Sequence, residues 1–370
     1  MAKTDIYLAS KPRYEILDGL RGVAALMVVI FHLFETYSKG PAYQIVNHGY
    51  LAVDFFFILS GFVIGYAYDG RWGKMTVGGF FKRRLIRLHP MVVMGALIGA
   101  LTFLLQGSVK WDGTHVSTSL VMLSMLCAMF MIPAFPGGAT EVRGNGEMFP
   151  LNGPSWSLFF EYIGNILYAL LLRRLPKWAL ALVCAVSGAL LVGISVRDGF
   201  LGVGWSFVDG GFWEGLIRML FPYSLGMLMA RVFVPLKARK SFLLCSLMLV
   251  LVAVLPSIGG AAWRNGLFEA FCVIVVFLCL VWLGASDNAL GEGTAKVCSF
   301  LGDLSYPLYM VHYPLFYLYY NYLGFDGNGV SKSFREAWPV ALLVVAASLV
   351  LAFVCMIFYD KPLRKRLSAK

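Results

Sequence analysis

Charged residues are scarce in this 370-residue sequence, at 14% against the roughly 25% of an ordinary soluble domain. Acidic residues are the scarcest, 20 against 31 lysines and arginines. With 59% hydrophobic residues and a mean hydropathy of +0.74, a soluble fold has too little interior for the apolar surface, which excludes the soluble globular class. The seven cysteines (Cys127, Cys184, Cys245, Cys272, Cys279, Cys298, Cys355) form no CxxC pair and no His/Cys ligand spacing. Neither a disulfide framework nor a metal site is expected, and the cysteines read as small buried apolar residues. No internal repeat and no low-complexity stretch divides the chain, so a single domain over 1–370 is expected. No cleavable signal peptide is expected either: residues 1–18 are polar, and the first apolar run is long enough to stay as an anchor.

What is there is a series of apolar runs, near 19–37, 49–68, 88–106, 120–134, 154–172, 178–196, 212–233, 242–258, 267–284, 299–322 and 338–358. A helix needs roughly 20 apolar residues to cross the hydrocarbon core. The run 120–134 is short, ends at Pro133 and leads into FPGGATEVRGNGEMFPLNGP. If it does not span and Lys3, Lys11 and Arg13 are cytoplasmic, the basic segments Arg71 to Arg87, Arg173 to Lys177, Arg231 to Lys240, Lys296 and Lys361 to Lys370 share one side. Lys39, Lys110, Arg143, Arg197 and Arg264 fall on the other. If it does span, two of the basic segments flip outward, against the positive-inside rule. The expectation is an all-α, polytopic integral membrane helix bundle of about ten transmembrane helices with both termini cytoplasmic. The external segment 107–153 would hold a re-entrant or surface helix. Basic residues placed between apolar runs point to membrane lipid as their partner and not to nucleic acid.

Ionisable groups inside such runs cost about 2.5–3.5 kcal/mol each on insertion scales and so tend to face a cavity and serve function. Arg21 and His32 are eleven residues apart in the first run, close to three helical turns, which puts them on one face roughly 16 Å apart. Asp54 in the second run comes to about the same depth as His32 by the same rise per residue, Glu161 and His312 fall in the middle-to-outer zone, and Arg218 lies somewhat further out. A histidine and a carboxylate at matched depth could make the imidazole–carboxylate pair of a general base. The plainer alternatives are that Asp54 and Glu161 lock spans together and that His312 packs against a backbone carbonyl. In FFKRRLIRLHP, Arg84 and Arg87 are three apart and share a helix face. They suit either a phosphate or lipid headgroups.

The pattern resembles the type-three family of membrane-bound acyltransferases, which O-acylate bacterial surface carbohydrates and related acceptors. Arg21 and His32 match the family's Arg, ten residues, His in LDGLRGVAALMVVIFH; GYLAVDFFFILSGFVIGY matches its second-span signature; Arg84 and Arg87 match its Arg-x-x-Arg. PSWSLFFEYIGNILY and LGDLSYPLYMVHYPLF match two looser signatures. The resemblance implies a bacterial cytoplasmic-membrane enzyme with acetyl-CoA as acyl donor. Arg84 and Arg87 would bind the nucleotide phosphates, Arg21 would hold the donor deeper, and His32 would be the catalytic base, with Asp54 and Glu161 as supporting carboxylates. The acceptor would be a saccharide or glycolipid hydroxyl, near His312, Trp156 and Arg218. A water-accessible tunnel from the arginines to His32 is expected. Many relatives carry a fused extracytoplasmic hydrolase-like domain, whereas this sequence runs to the basic tail RKRLSAK, so action alone or with a separate partner is expected. The rival class is a proton-coupled transporter or flippase using His32 and Asp54 as a relay. A variant within the same class acylates a small-molecule or peptide hydroxyl.

Overall fold

The computed structural model describes residues 13–38, 44–287, 290–327 and 329–369. The basic residues Lys3, Lys11 and Lys39, used above to orient the chain, lie outside them. Each of the apolar runs forms a helix: α1 (Glu15–Phe34), α2 (Ala52–Tyr68), α3 (Val77–Leu105), α4 (Thr118–Met129), α5 (Ser155–Leu170), α6 (Lys177–Asp198), α7 (Gly211–Val232), α8 (Ser241–Val254), α9 (Ala262–Ser286), α10 (Glu292–Leu323) and α11 (Phe334–Ser368). No β-strand occurs among the described residues, only isolated bridges. The fold is an all-α, polytopic membrane bundle. Among the described residues seven helices, α1, α2, α3, α5, α6, α9 and α11, are long and apolar enough to cross a bilayer. The 12 residues of α4 rise only about 18 Å, well short of the roughly 30 Å hydrocarbon core. In α7 and α10 the length suffices, at 22 and 32 residues, but charged and polar side chains interrupt the apolar surface.

Lipid gives helices no hydrophobic reason to associate, so close backbone approach at small residues does the work. α1 lies along α10, where a Cβ on Gly22 would fall 2.5 Å from the Leu301 Cβ and one on Gly302 2.6 Å from the Asp18 Cβ. α2 lies along α7, where a Cβ on Gly61 would fall 1.9 Å from the Tyr223 carbonyl oxygen. These contacts admit no side chain at all, and they fix which polar groups meet. Proline adds a second constraint in α10. Pro314 lacks the N–H that would satisfy the Met310 carbonyl, and the Asn152 side chain donates to that carbonyl instead, at 2.9 Å.

The segment 107–153 folds back over one end of the bundle, with α4 against α3. Arg143 is driven inward: its Nε donates to the Pro150 carbonyl (2.6 Å), its Nη1 to Gln106 (3.2 Å), and its guanidinium lies 3.3 Å from the centroid of the Tyr317 ring. Glu147, also buried, accepts from the Tyr317 hydroxyl. Burial raises the Glu147 carboxyl to about 7, against the opposing pull of that hydrogen bond and of Arg143. At the opposite end, the basic last turns of α11 pack on α3, and Lys361 pairs with Asp303 of α10 at 2.8 Å.

Candidate active site

A cavity runs between α1, α2, α3, α5, α10 and the end of α11, with about 1030 Å³ unfilled by protein atoms, its open mouth included. It gathers Arg21, Arg84, Arg87 and Glu161, four residues singled out from the sequence, onto its lining. Arg21 is held by α10: its Nε donates to Ser305 (2.9 Å) and its Nη2 to the Gly302 carbonyl (2.7 Å), while Asp18 one turn earlier sits at 3.1 Å. These bonds follow from the glycine contact between α1 and α10. Arg84 donates to Glu161 at 2.6 Å, and the same carboxylate oxygen accepts from Ser60 at 2.8 Å. The Arg84 Nε is buried without an acceptor. Arg87 makes no hydrogen bond or ion pair among the described residues. A Leu, Phe and Tyr lining from α2 and α10 completes the walls.

His32 lies near the other end of α1 and does not line this cavity. Its Nδ1 is 2.7 Å from an oxygen of Glu35. A carboxylate only accepts, so Nδ1 carries a proton, and in the neutral ring Nε2 then keeps its lone pair, the tautomer a general base needs. Glu35 is fixed in turn by the Tyr320 hydroxyl at 3.2 Å, which also donates to the His32 carbonyl at 2.6 Å. The His32 ring packs 4.5 Å from Tyr313 and 5.5 Å from His312, centroid to centroid. His312 donates from Nδ1 to the Leu308 carbonyl at 2.9 Å, which leaves its buried Nε2 as an unpartnered acceptor. Tyr309 lines the cavity and packs 6.0 Å from His312. The rings of Tyr309, on the cavity lining, and then His312 lead from the arginine-lined space to His32, so this cavity by itself does not trace the tunnel expected from the sequence.

The expected pairing of His32 with Asp54 is also corrected. Asp54 binds Arg218 of α7, accepting from Nε at 3.0 and 3.2 Å and from Nη2 at 2.8 Å. Arg218 also donates from Nη1 and Nη2 to the Val203 and Tyr50 carbonyls, both at 2.9 Å, and its guanidinium lies 5.3 Å from the Trp156 ring centroid. None of Asp54, Arg218 and Trp156 lines the cavity. Matched depth placed Asp54 and His32 at one level but could not say which helix faces turn together; the contact of α2 with α7 decides it. Glu161 likewise lies on Arg84 in the cavity wall and not beside the imidazole. The carboxylate that does meet His32, Glu35, was overlooked although its signal is plain: three residues on, at the end of the same helix, it falls on the same face.

The chain belongs to the type-three acyltransferase family, whose acyltransferase domain it matches over residues 14–359. It is 28% identical to the acyltransferase MdmB of Streptomyces mycarofaciens over 91% of this chain and 88% of that protein. A protein from the picA locus of Rhizobium radiobacter is 36% identical over 49% of this chain and 93% of its own length. The peptidoglycan O-acetyltransferase OatA of Listeria monocytogenes is 22% identical, matched over 94% of this chain but 55% of its own length. No solved structure matches. Family and fold together define a multi-pass membrane-bound O-acyltransferase, which displaces the transporter reading.

Proposed function

We propose that this enzyme takes an acetyl group from cytoplasmic acetyl-CoA and transfers it to a hydroxyl of a saccharide or glycolipid in a bacterial cytoplasmic membrane, with both termini on the cytoplasmic face. The reading is carried by one observation: a single cavity with Arg21, Arg84 and Arg87 on its wall, aimed along α1 and α10 toward a histidine already in the basic tautomer. Arginine forks at the mouth suit the phosphates of the donor, and the apolar walls suit its pantetheine arm. The bias of basic residues toward the cavity mouth agrees with a cytoplasmic opening. A saccharide acceptor is supported by OatA, which its name assigns to peptidoglycan.

In the reaction, the His32 Nε2 takes the proton of the acceptor hydroxyl as its oxygen attacks the thioester carbonyl carbon. The C–S bond then breaks, and the imidazolium returns the proton to the departing thiolate. Glu35 holds the ring and stabilises the cation formed midway. For the thioester to reach His32, the rings of Tyr309 and His312 both have to yield, Tyr309 giving up its hydrogen bond to Ser157 (2.7 Å).

The test is direct. CoA is expected to raise the melting temperature of the purified protein, and the rise is expected to vanish in the double variant Arg84→Ala/Arg87→Ala. His32→Ala should keep the rise and lose about 10²–10⁴-fold in acetyl transfer. A protein indifferent to CoA, or a His32→Ala variant with normal turnover, would end this reading.

A further inference from the structure

The cavity wall carries five arginines, Arg13, Arg21, Arg84, Arg87 and Arg364, against three carboxylates, Glu161, Asp303 and Asp360. The surplus is concentrated around Arg87. Arg21, Arg84 and Arg364 all lie close enough to repel its charge, and Asp18 and Asp360 attract it. Four guanidinium groups crowded in this way are costly while only water fills the space between them, and a multiply charged anion removes the cost. Arg84 is the least available of the four, because Glu161 already holds it at 2.6 Å.

Arg364 comes from the last turns of α11, a stretch whose lysines and arginines read from sequence as an anchor to lipid headgroups. The structure turns this side chain inward. Asp360, fully buried, pairs with one of its nitrogens at 2.5 Å from the preceding turn, and among the described residues no other group pairs with Arg364. The Arg364 side chain is 24% exposed, on the cavity lining, whereas Arg366 on the same helix points out to solvent. A buried carboxylate that positions an arginine beside an unpaired arginine is a built anion site.

We propose that Arg364, positioned by Asp360, is a phosphate ligand of the donor site and acts with Arg87 on the donor phosphates nearest the mouth, so that the C-terminal helix is part of the binding site. The inference rests on the acetyl-CoA reading above and adds the residue and the element that complete it. Anionic lipid offers the same phosphate chemistry, and the experiment separates the two.

The affinities of CoA and of phosphate-free S-acetylpantetheine are measured for full-length protein in phosphatidylcholine nanodiscs, for wild type, Arg364→Ala, Arg364→Gln and Arg366→Ala. Arg364→Ala is expected to weaken CoA about tenfold or more and to leave S-acetylpantetheine within twofold. Arg364→Gln, which keeps the length and polarity of the side chain, should show the same selective loss and secures the result if the alanine variant folds poorly. Arg366→Ala should match wild type. Equal weakening of both ligands, an equal loss in Arg366→Ala, or unchanged CoA affinity in both Arg364 variants would overturn the assignment. So would a loss confined to stabilisation by phosphatidylglycerol, which would give Arg364 to the lipid. Wild-type protein that binds neither ligand would remove the donor reading and this assignment together, whereas wild-type CoA binding that survives in Arg364→Ala removes the assignment alone.

Discussion

Two arginine–carboxylate pairs sit inside this bundle, and they are finished to different degrees. Arg218 and Asp54 form a closed unit: the carboxylate takes both Nε and Nη2, two backbone carbonyls accept from Nη1 and Nη2, and Trp156 and Tyr50 cover the faces. Arg84 and Glu161 share one short contact, keep a buried N–H without an acceptor, and border an open cavity. A buried ion pair is seldom a net source of stability, because removing two charges from water costs about as much as their attraction returns. Completeness of hydrogen bonding is therefore what separates the roles. A charge with every nitrogen bonded has little left to offer a ligand and serves the packing of α2 on α7. A charge left partly unsatisfied beside empty space is held ready for a ligand.

The largest effect expected from this contrast is on folding. Arg218→Ala should lose about 3–5 kcal/mol of stability, because it strands Asp54 in the interior with no cation. The double variant Asp54→Leu/Arg218→Met should recover most of that loss and keep donor binding. Thermal unfolding in detergent with a CoA titration reads both quantities. A double variant that folds but no longer transfers acetyl would show that the closed pair works in the reaction, and the contrast would break.

Glu147 tests an intermediate case, a carboxylate buried under the 107–153 segment that Tyr317 serves but that no cation bonds directly. Its carboxyl rises from 4.5 to about 7 in the folded protein. Between those two values the unfolded chain releases the proton while the folded one retains it, so stability falls as pH rises through that window and levels off above it. The full linkage is on the order of 3 kcal/mol. Glu147→Gln should flatten the profile of melting temperature from pH 4.5 to 7, and a slope that persists in the variant would place the titrating group elsewhere.

Much of the helical layout was legible because lipid imposes one period and one length on each span, so every apolar run became a helix, and the weak run 120–134 became a helix of 12 residues. The cavity's arginines were legible for a related reason: Arg84 and Arg87 share a face by spacing alone, and Arg21 shares one with His32. Contacts between helices were not. Asp54 and His32 match in depth, yet depth leaves the rotation of each helix undetermined, and glycines 61 and 226 set that rotation by admitting only backbone between α2 and α7. Arg364 escaped notice for the opposite reason. A run of basic residues at a membrane edge is expected everywhere, so composition gave no sign that one of them turns inward onto Asp360.

The smallest effect is the one that decides whether His32 belongs with the finished or the waiting groups. Glu35 fixes the imidazole through Nδ1 but remains 38% exposed, so its contact adds little to stability and Glu35→Gln should leave the melting temperature within a degree or two. The amide can present its oxygen to Nδ1–H and preserve the tautomer, but it lacks the charge that stabilises the imidazolium formed in the transition state. The expected outcome is a fall in kcat of about tenfold or more with the KM for the donor unchanged. A fall in donor affinity with kcat intact would assign Glu35 to the binding cavity. No change in either would mean that the ring is held by Tyr313 and His312 alone, and the carboxylate beside the histidine would then be as inert in the reaction as the one on Arg218.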